Sequence, residues 1–134
     1  MAVEISGMNA ILSDIEKMIP TDTDVDAALI AGADIITENM RERAPVQPGG
    51  GELKEAIKTG PPKTTSRGRT VTSGVHKADF HEEDYYPAYV EYGHGGPHPA
   101  PPHPYARPAY DEKKDEAWNA VKAATIAQLQ KKGL

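Results

Sequence analysis

The chain contains no cysteine. That excludes a disulfide framework and any thiolate metal site. Phenylalanine and tryptophan occur once each, aromatics make up 6% of the residues and hydrophobic residues 38%. Much of the chain is therefore expected to be surface, loop or subunit contact. No apolar run approaches the length of a membrane span. There is no basic excess either. The net charge of −5 argues against a duplex-binding protein, which would carry a basic face or stripe. It leaves open a neutral or acidic surface that DNA slides past. The first residues, Met1 to Ile5, lack the basic start and apolar centre of a signal peptide. The expectation is a soluble domain made in the cytoplasm and not exported by the usual route. A length of 134 residues fits one domain, 1–134.

What the chain does have is helical periodicity at both ends. Met8, Ile11, Leu12, Ile15, Met18 and Ile19 recur at spacings of three and four and predict one face of a helix, capped by Ser6 and ended by Pro20. The run Thr21 to Asp26 predicts a second helix start, with Asp22 or Thr23 as cap and acids near the positive end of the dipole. Val25, Leu29, Gly32, Ala33, Ile36 and Met40 make its stripe, flanked by Ala28 and Ile35. Arg41 and Arg43 suit its last turn, and Pro45 forbids continuation. The glycines of Pro48 to Gly51 carry no phosphate-loop signature, since no Gly-Lys-Ser/Thr follows them. Residues 52–58 predict a short helix with Leu53, Ala56 and Ile57 inward.

Strand-like residues come next. Lys63–Thr65 predicts an edge strand, residues 66–68 a turn and Arg69–Val75 a strand, together a β-hairpin. Residues 76–84 form a polar connection. A last helix is predicted from Pro108 to about Lys131, with Tyr110, Ala117, Trp118, Val121, Ala124, Thr125 and Leu129 as its buried stripe. The fold class is thus α+β: two N-terminal amphipathic helices, a small antiparallel sheet built on a β-hairpin, a Pro-rich loop and a long C-terminal helix.

The candidate site lies between the hairpin and the last helix. Tyr85 to Tyr110 holds all six tyrosines, three of the five histidines and seven of the twelve prolines. Residues 93–104 are too rich in proline and glycine for a helix or central strand and form a Pro/Gly/His-rich loop or arm. His94, His98 and His103 are candidate metal ligands by residue type. They lack the His-Glu-x-x-His helical signature, so a solvated or interface role is the better reading. The acids beside His81 lie in a polar run and read as a solvated face rather than an acid/base pair. Glu91 is flanked by Val90 and Tyr92 in the least polar part of the stretch, and Arg107 is its natural ionic partner. Such a pair would lock the two ends of the loop together. The tyrosines lack the basic groove of a nucleic-acid stacking platform and read as packing or subunit contacts.

Four motifs occur in order: Ala44-Pro45, then Gly51 to Ile57 (Gly-x-Leu-Lys-x-Ala-Ile), then Tyr86 to Gly93 (ending Val-Glu-Tyr-Gly), then Pro104 to Ala109 (Pro-Tyr-Ala-Arg-Pro-Ala). With these the chain resembles the head–tail joining, tail-completion or tail-component proteins of long-tailed phages, typified by an HK-type gene product ten. It departs from the family pattern at Pro48 to Gly51, where a single Thr-Gly is usual, and at His94, where a threonine often stands. The resemblance implies a structural virion protein, not an enzyme, with no cofactor. It would be made in the host cytoplasm and form a ring of six or twelve subunits in the neck. The ring would join the DNA-filled head, through portal, adaptor and stopper, to the tail tube, with DNA passing through the lumen without sequence-specific binding and no membrane involved. Tyr86, Tyr89, Glu91, Tyr92, Gly93, Tyr105, Arg107, Pro108 and Trp118 are the expected structural and interface residues. The alternatives are a tail terminator or another neck ring protein, and a metal-dependent enzyme using the histidine loop.

Overall fold

In the computed structural model, residues 6–46, 52–76, 87–93, 95–97 and 99–133 are described, and they form an α+β fold. Helix α1 spans Met8–Met18 and α2 spans Asp22–Arg43. Gly7, with φ 102°, occupies the N-cap of α1 in place of the expected Ser6. The cap of α2 is Thr21, one residue before the expected pair. Its hydroxyl accepts from the Asp24 amide at 3.2 Å, and the Asp24 carboxylate accepts from the Thr21 amide at 3.0 Å. This reciprocal box satisfies two donors that the first turn cannot pair internally. The helix ends at Arg43, before Pro45, as its sequence predicts.

The next segment corrects the sequence reading. Helix α3 covers only Glu52–Ala56, and Ile57 and Lys58 belong to strand β1, Ile57–Thr59. Strand pairing won because Ile57 lies opposite Val75 in β4, Ser73–Val75. Strands β2, Lys63–Thr65, and β3, Gly68–Thr70, pair antiparallel as the tip of the same hairpin. The long strand expected over Arg69–Val75 is therefore split at Val71 and Thr72. The cause sits across the ladder. Gly60 still donates its amide to the Thr72 carbonyl at 2.7 Å, but Pro61 and Pro62 have no amide hydrogen to continue.

The hairpin lies along α2 and is stitched to it by polar contacts. Near the tip, Arg69 grips Asp26 with two bonds of 2.6 and 2.7 Å. Further along, the Ser73 hydroxyl donates to the Ala33 carbonyl at 2.9 Å. Thr59 donates to Asp34 at 2.6 Å, and its hydroxyl lies 2.8 Å from that of Thr37. At the base, Arg41 Nε donates to the Ile57 carbonyl at 2.8 Å.

Helix α4, Pro87–Tyr92, precedes the loop, and α5 runs Ala106–Lys131. Helix α5 starts two residues before the expected Pro108. It packs antiparallel to α2: Gln128 and Lys132 reach Asp24 at one end, and Arg43 pairs with Glu112 towards the other. Gly32 makes the close approach possible. A Cβ there would stand 2.5 Å from Val121 Cγ2 and 2.9 Å from the Ala117 carbonyl oxygen. The core is small and sits at the lower end of this pair, where Met40, Ala44, Leu53, Ile57, Tyr105 and Ala109 cluster.

Two expected stripes are incompletely covered. Of the α5 stripe, Ala117 is buried, but Trp118 is 60% exposed and Tyr110 is also exposed. On α1 no residue is buried, and Met8, Ile11, Leu12 and Ile15 face solvent.

Candidate assembly surface

The two brackets of the Tyr85 to Tyr110 stretch meet at Glu91. This side chain is buried, and its carboxylate turns to the start of α5. Oε2 accepts from the amides of Tyr105 at 2.7 Å and Ala106 at 2.9 Å, and Oε1 accepts from the amide of Arg107 at 3.1 Å. The first four amide positions of a helix have no internal acceptor. Here three are taken by one carboxylate, and the fourth is Pro108, which has no amide hydrogen. The negative charge also faces the positive end of the helix dipole.

This corrects the expected Glu91–Arg107 ion pair. The Arg107 contact is through its backbone, and its guanidinium is 85% exposed, 3.9 Å from Asp111. The loop is held at further points. The His103 amide donates to the Val90 carbonyl at 2.7 Å, and the buried Tyr105 hydroxyl reaches the Pro87 carbonyl at 3.4 Å. Gly93 has φ 72°, and a Cβ there would lie 2.8 Å from both the Ala100 oxygen and the Pro102 nitrogen. Only glycine fits that turn without strain.

The other expected residues divide. Tyr89 and Tyr92 are exposed, and Pro108 is half-buried in the first turn of α5. Tyr86, His94 and His98 lie outside the described residues. His103 is exposed, and among the described residues no three metal-ligating side chains converge.

Beside this locked junction lies a groove of about 660 Å³ that sequence reasoning did not foresee. Leu29, Ile36 and Met40 of α2 form one wall, Tyr110, Trp118 and Val121 of α5 the other, and Val71 of the hairpin contributes to the lining. Arg107 and Lys114 stand on its rim. The periodic stripes of both helices are legible in the sequence, but the groove that they line together with the hairpin is not. Most of the groove's lining is apolar.

The far end of the helix pair is fastened by charge. Lys132 Nζ lies 2.5 Å from Asp24 Oδ2 and 3.3 Å from the Ile19 carbonyl. The hydrogen bond from Lys132, with that from the Thr21 amide, lowers the Asp24 carboxyl to about 2. Arg69 likewise holds Asp26 below the usual carboxylate range.

No curated protein and no solved structure matches the chain. Residues 7–93, from the start of α1 to the glycine that follows α4, match the family described as "Bacteriophage HK97-gp10, putative tail-component". That span is about two thirds of the chain and includes both N-terminal helices, the hairpin and Glu91. The chain belongs to the HK97-gp10 tail-component family of bacteriophage structural proteins.

Proposed function

We propose that the protein is a ring-forming component of the phage neck that joins the DNA-filled head to the tail tube. Family membership over residues 7–93 is the observation that carries this reading. A virion component of this kind works by contact, and the described residues offer exposed contact surface. Tyr89, Tyr92, Tyr110 and Trp118 are exposed, as is the apolar face of α1. Aromatic side chains supply large contact area at low entropic cost and are enriched at protein interfaces. Head-to-tail contacts between copies close into a ring when the rotation between them closes. A net charge of −5 keeps the subunit from gripping DNA that passes through the lumen.

In this reading the Glu91 junction is the rigid base from which the 93–104 arm reaches a neighbour, either another copy or the adjoining neck protein. Disrupting the gene in its phage and imaging the lysate tests the assignment. DNA-filled heads beside free tails of normal length are the expected result. Free tails of abnormal length would assign the protein to tail termination instead, and joined particles would overturn the neck assignment.

A further inference from the structure

We infer that α1 of one copy seats in the groove between α2, α5 and the hairpin of a second copy, so that each subunit donates its first helix to the next. The inference deepens the ring reading, since it requires self-association, but it does not depend on the ring's place in the virion.

Among the described residues, two surfaces of the same chain lack a partner. One is convex and apolar: Met8, Ile11, Leu12, Ile15 and Ile19 are each half or more exposed along one side of α1. A helix this short has marginal stability in water on its own, and an amphipathic helix gains most of its stability by packing that face. The other surface is concave and apolar, the groove walled by α2 and α5.

The two match in length and charge. The eleven residues of α1 rise about 16 Å at ~1.5 Å per residue, and Leu29 to Met40 along α2 span about the same distance. Asp14 and Glu16 flank the α1 stripe, and Arg107 and Lys114 stand on the groove rim. The acids of α1 would meet the bases of the rim, a complementarity that fixes orientation more than strength.

A helix cannot fill its own groove with this connection. Only Ile19 and Pro20 separate α1 from the Thr21 cap of α2. Folded back along α2, α1 would reach about 16 Å from the hinge, to near Gly32, by the same helical rise. That leaves Ile36, Met40 and Arg107 uncovered. Lys132 further holds the hinge by its contacts with Asp24 and the Ile19 carbonyl. In the proposed arrangement the α1 of a second copy reaches that far end.

The absence of native cysteine makes the test direct. Ile15→Cys and Trp118→Cys proteins are prepared separately, mixed and treated with a short bismaleimide. Both side chains are more than half exposed, so neither change disturbs the fold. The expected product is a dimer that forms in the mixture, and the double variant should give a ladder up to the size of the native oligomer. Three results would overturn the helix donation: a cross-link only within one chain, oligomers that never cross-link, or a full-length chain that stays monomeric at high concentration. A Leu12→Asp/Ile15→Asp variant supplies the control for folding. It should keep the wild-type melting profile of the monomer and lose the oligomer, and persistence of the oligomer would refute the inference. The two readings fail separately. Uncross-linked rings reject helix donation and leave the neck assignment standing. Joined particles after gene disruption reject the neck assignment and leave the cross-link standing.

Discussion

The Glu91 carboxylate lies 2.7 Å from the backbone nitrogen of Tyr105, fourteen residues away, and so caps a helix that its own short segment does not touch in sequence. With the Ala106 and Arg107 amides on the same carboxylate, α4 becomes the N-terminal cap of α5. The two ends of the connecting loop are thereby held together, with Gly93 against Ala100 and Pro102 and the His103 amide on the Val90 carbonyl. The stretch that looked like a histidine-rich site is a clamp with a loop hung from it.

The clamp separates the cap from the ion pair by mutation. Glu91→Ala strands three amide donors at a buried site, and such a loss costs about 2–3 kcal/mol. For a chain of this size that is a fall in melting temperature of roughly 6–15 °C. Arg107→Ala removes only an exposed side chain, for which changes stay within about 0.5 kcal/mol. Glu91→Gln keeps acceptor oxygen and should fall between them. Thermal melts of the three variants decide the matter: equal losses for Glu91→Ala and Arg107→Ala would mean that the guanidinium, not the backbone, is the partner.

Gly32 should be intolerant of alanine despite lying in the middle of a helix. Alanine normally favours a helix over glycine by about 1 kcal/mol. Here the new methyl would meet Val121 at 2.5 Å and the Ala117 carbonyl at 2.9 Å. The valine can turn, but the carbonyl belongs to the α5 backbone and cannot yield without moving the helix. Overpacking of this kind costs about 1–3 kcal/mol. Denaturant unfolding should show a net loss for Gly32→Ala, and a stabilised variant would show that α5 stands further from α2 than described.

How much of this was legible depends on which partner each residue chose. The bounds of α2 could be read because they rest on local chemistry: acids and a threonine at the start, arginines and Pro45 at the end. The sign of the Glu91 interaction was legible, but not its partner, because amides occur at every residue and leave no mark in a sequence. Ile57 was assigned to a helix because its spacing from Leu53 is four, and only pairing with Val75 places it in a strand. Trp118 and Tyr110 show the limit of periodicity. A repeating apolar stripe says that a face wants cover, but not whether the cover lies in the same chain.

Acid should weaken the molecule in a defined window. Asp24 titrates at about 2 in the fold, lowered first by the hydrogen bond from Lys132 and then by that from the Thr21 amide, against an ordinary value of 3.8. A carboxyl lowered by folding adds stability above its ordinary value and loses it as pH falls through the folded one. Asp26, held down by Arg69, acts in the same direction. Melting temperature should therefore fall between about pH 4 and pH 2, and Asp24→Asn should flatten part of that fall. An unchanged slope in that variant would show that Lys132 does not hold the carboxylate in solution.

Trp118 offers the last prediction, because it is the single tryptophan in the chain and reports alone. At 60% exposure it contributes little to the monomer, so Trp118→Ala should melt close to wild type. If the groove is an assembly surface, the same change should weaken self-association by tenfold or more, which corresponds to about 1.4 kcal/mol and is ordinary for a buried aromatic at an interface. The wild-type emission should also shift to the blue as concentration rises, since the indole leaves water on assembly. Sedimentation of the variant and the emission of the wild type test one claim in two ways. A wild-type spectrum that stays unshifted while the oligomer forms would place the subunit contact away from this groove, even if Trp118→Ala were found to assemble poorly.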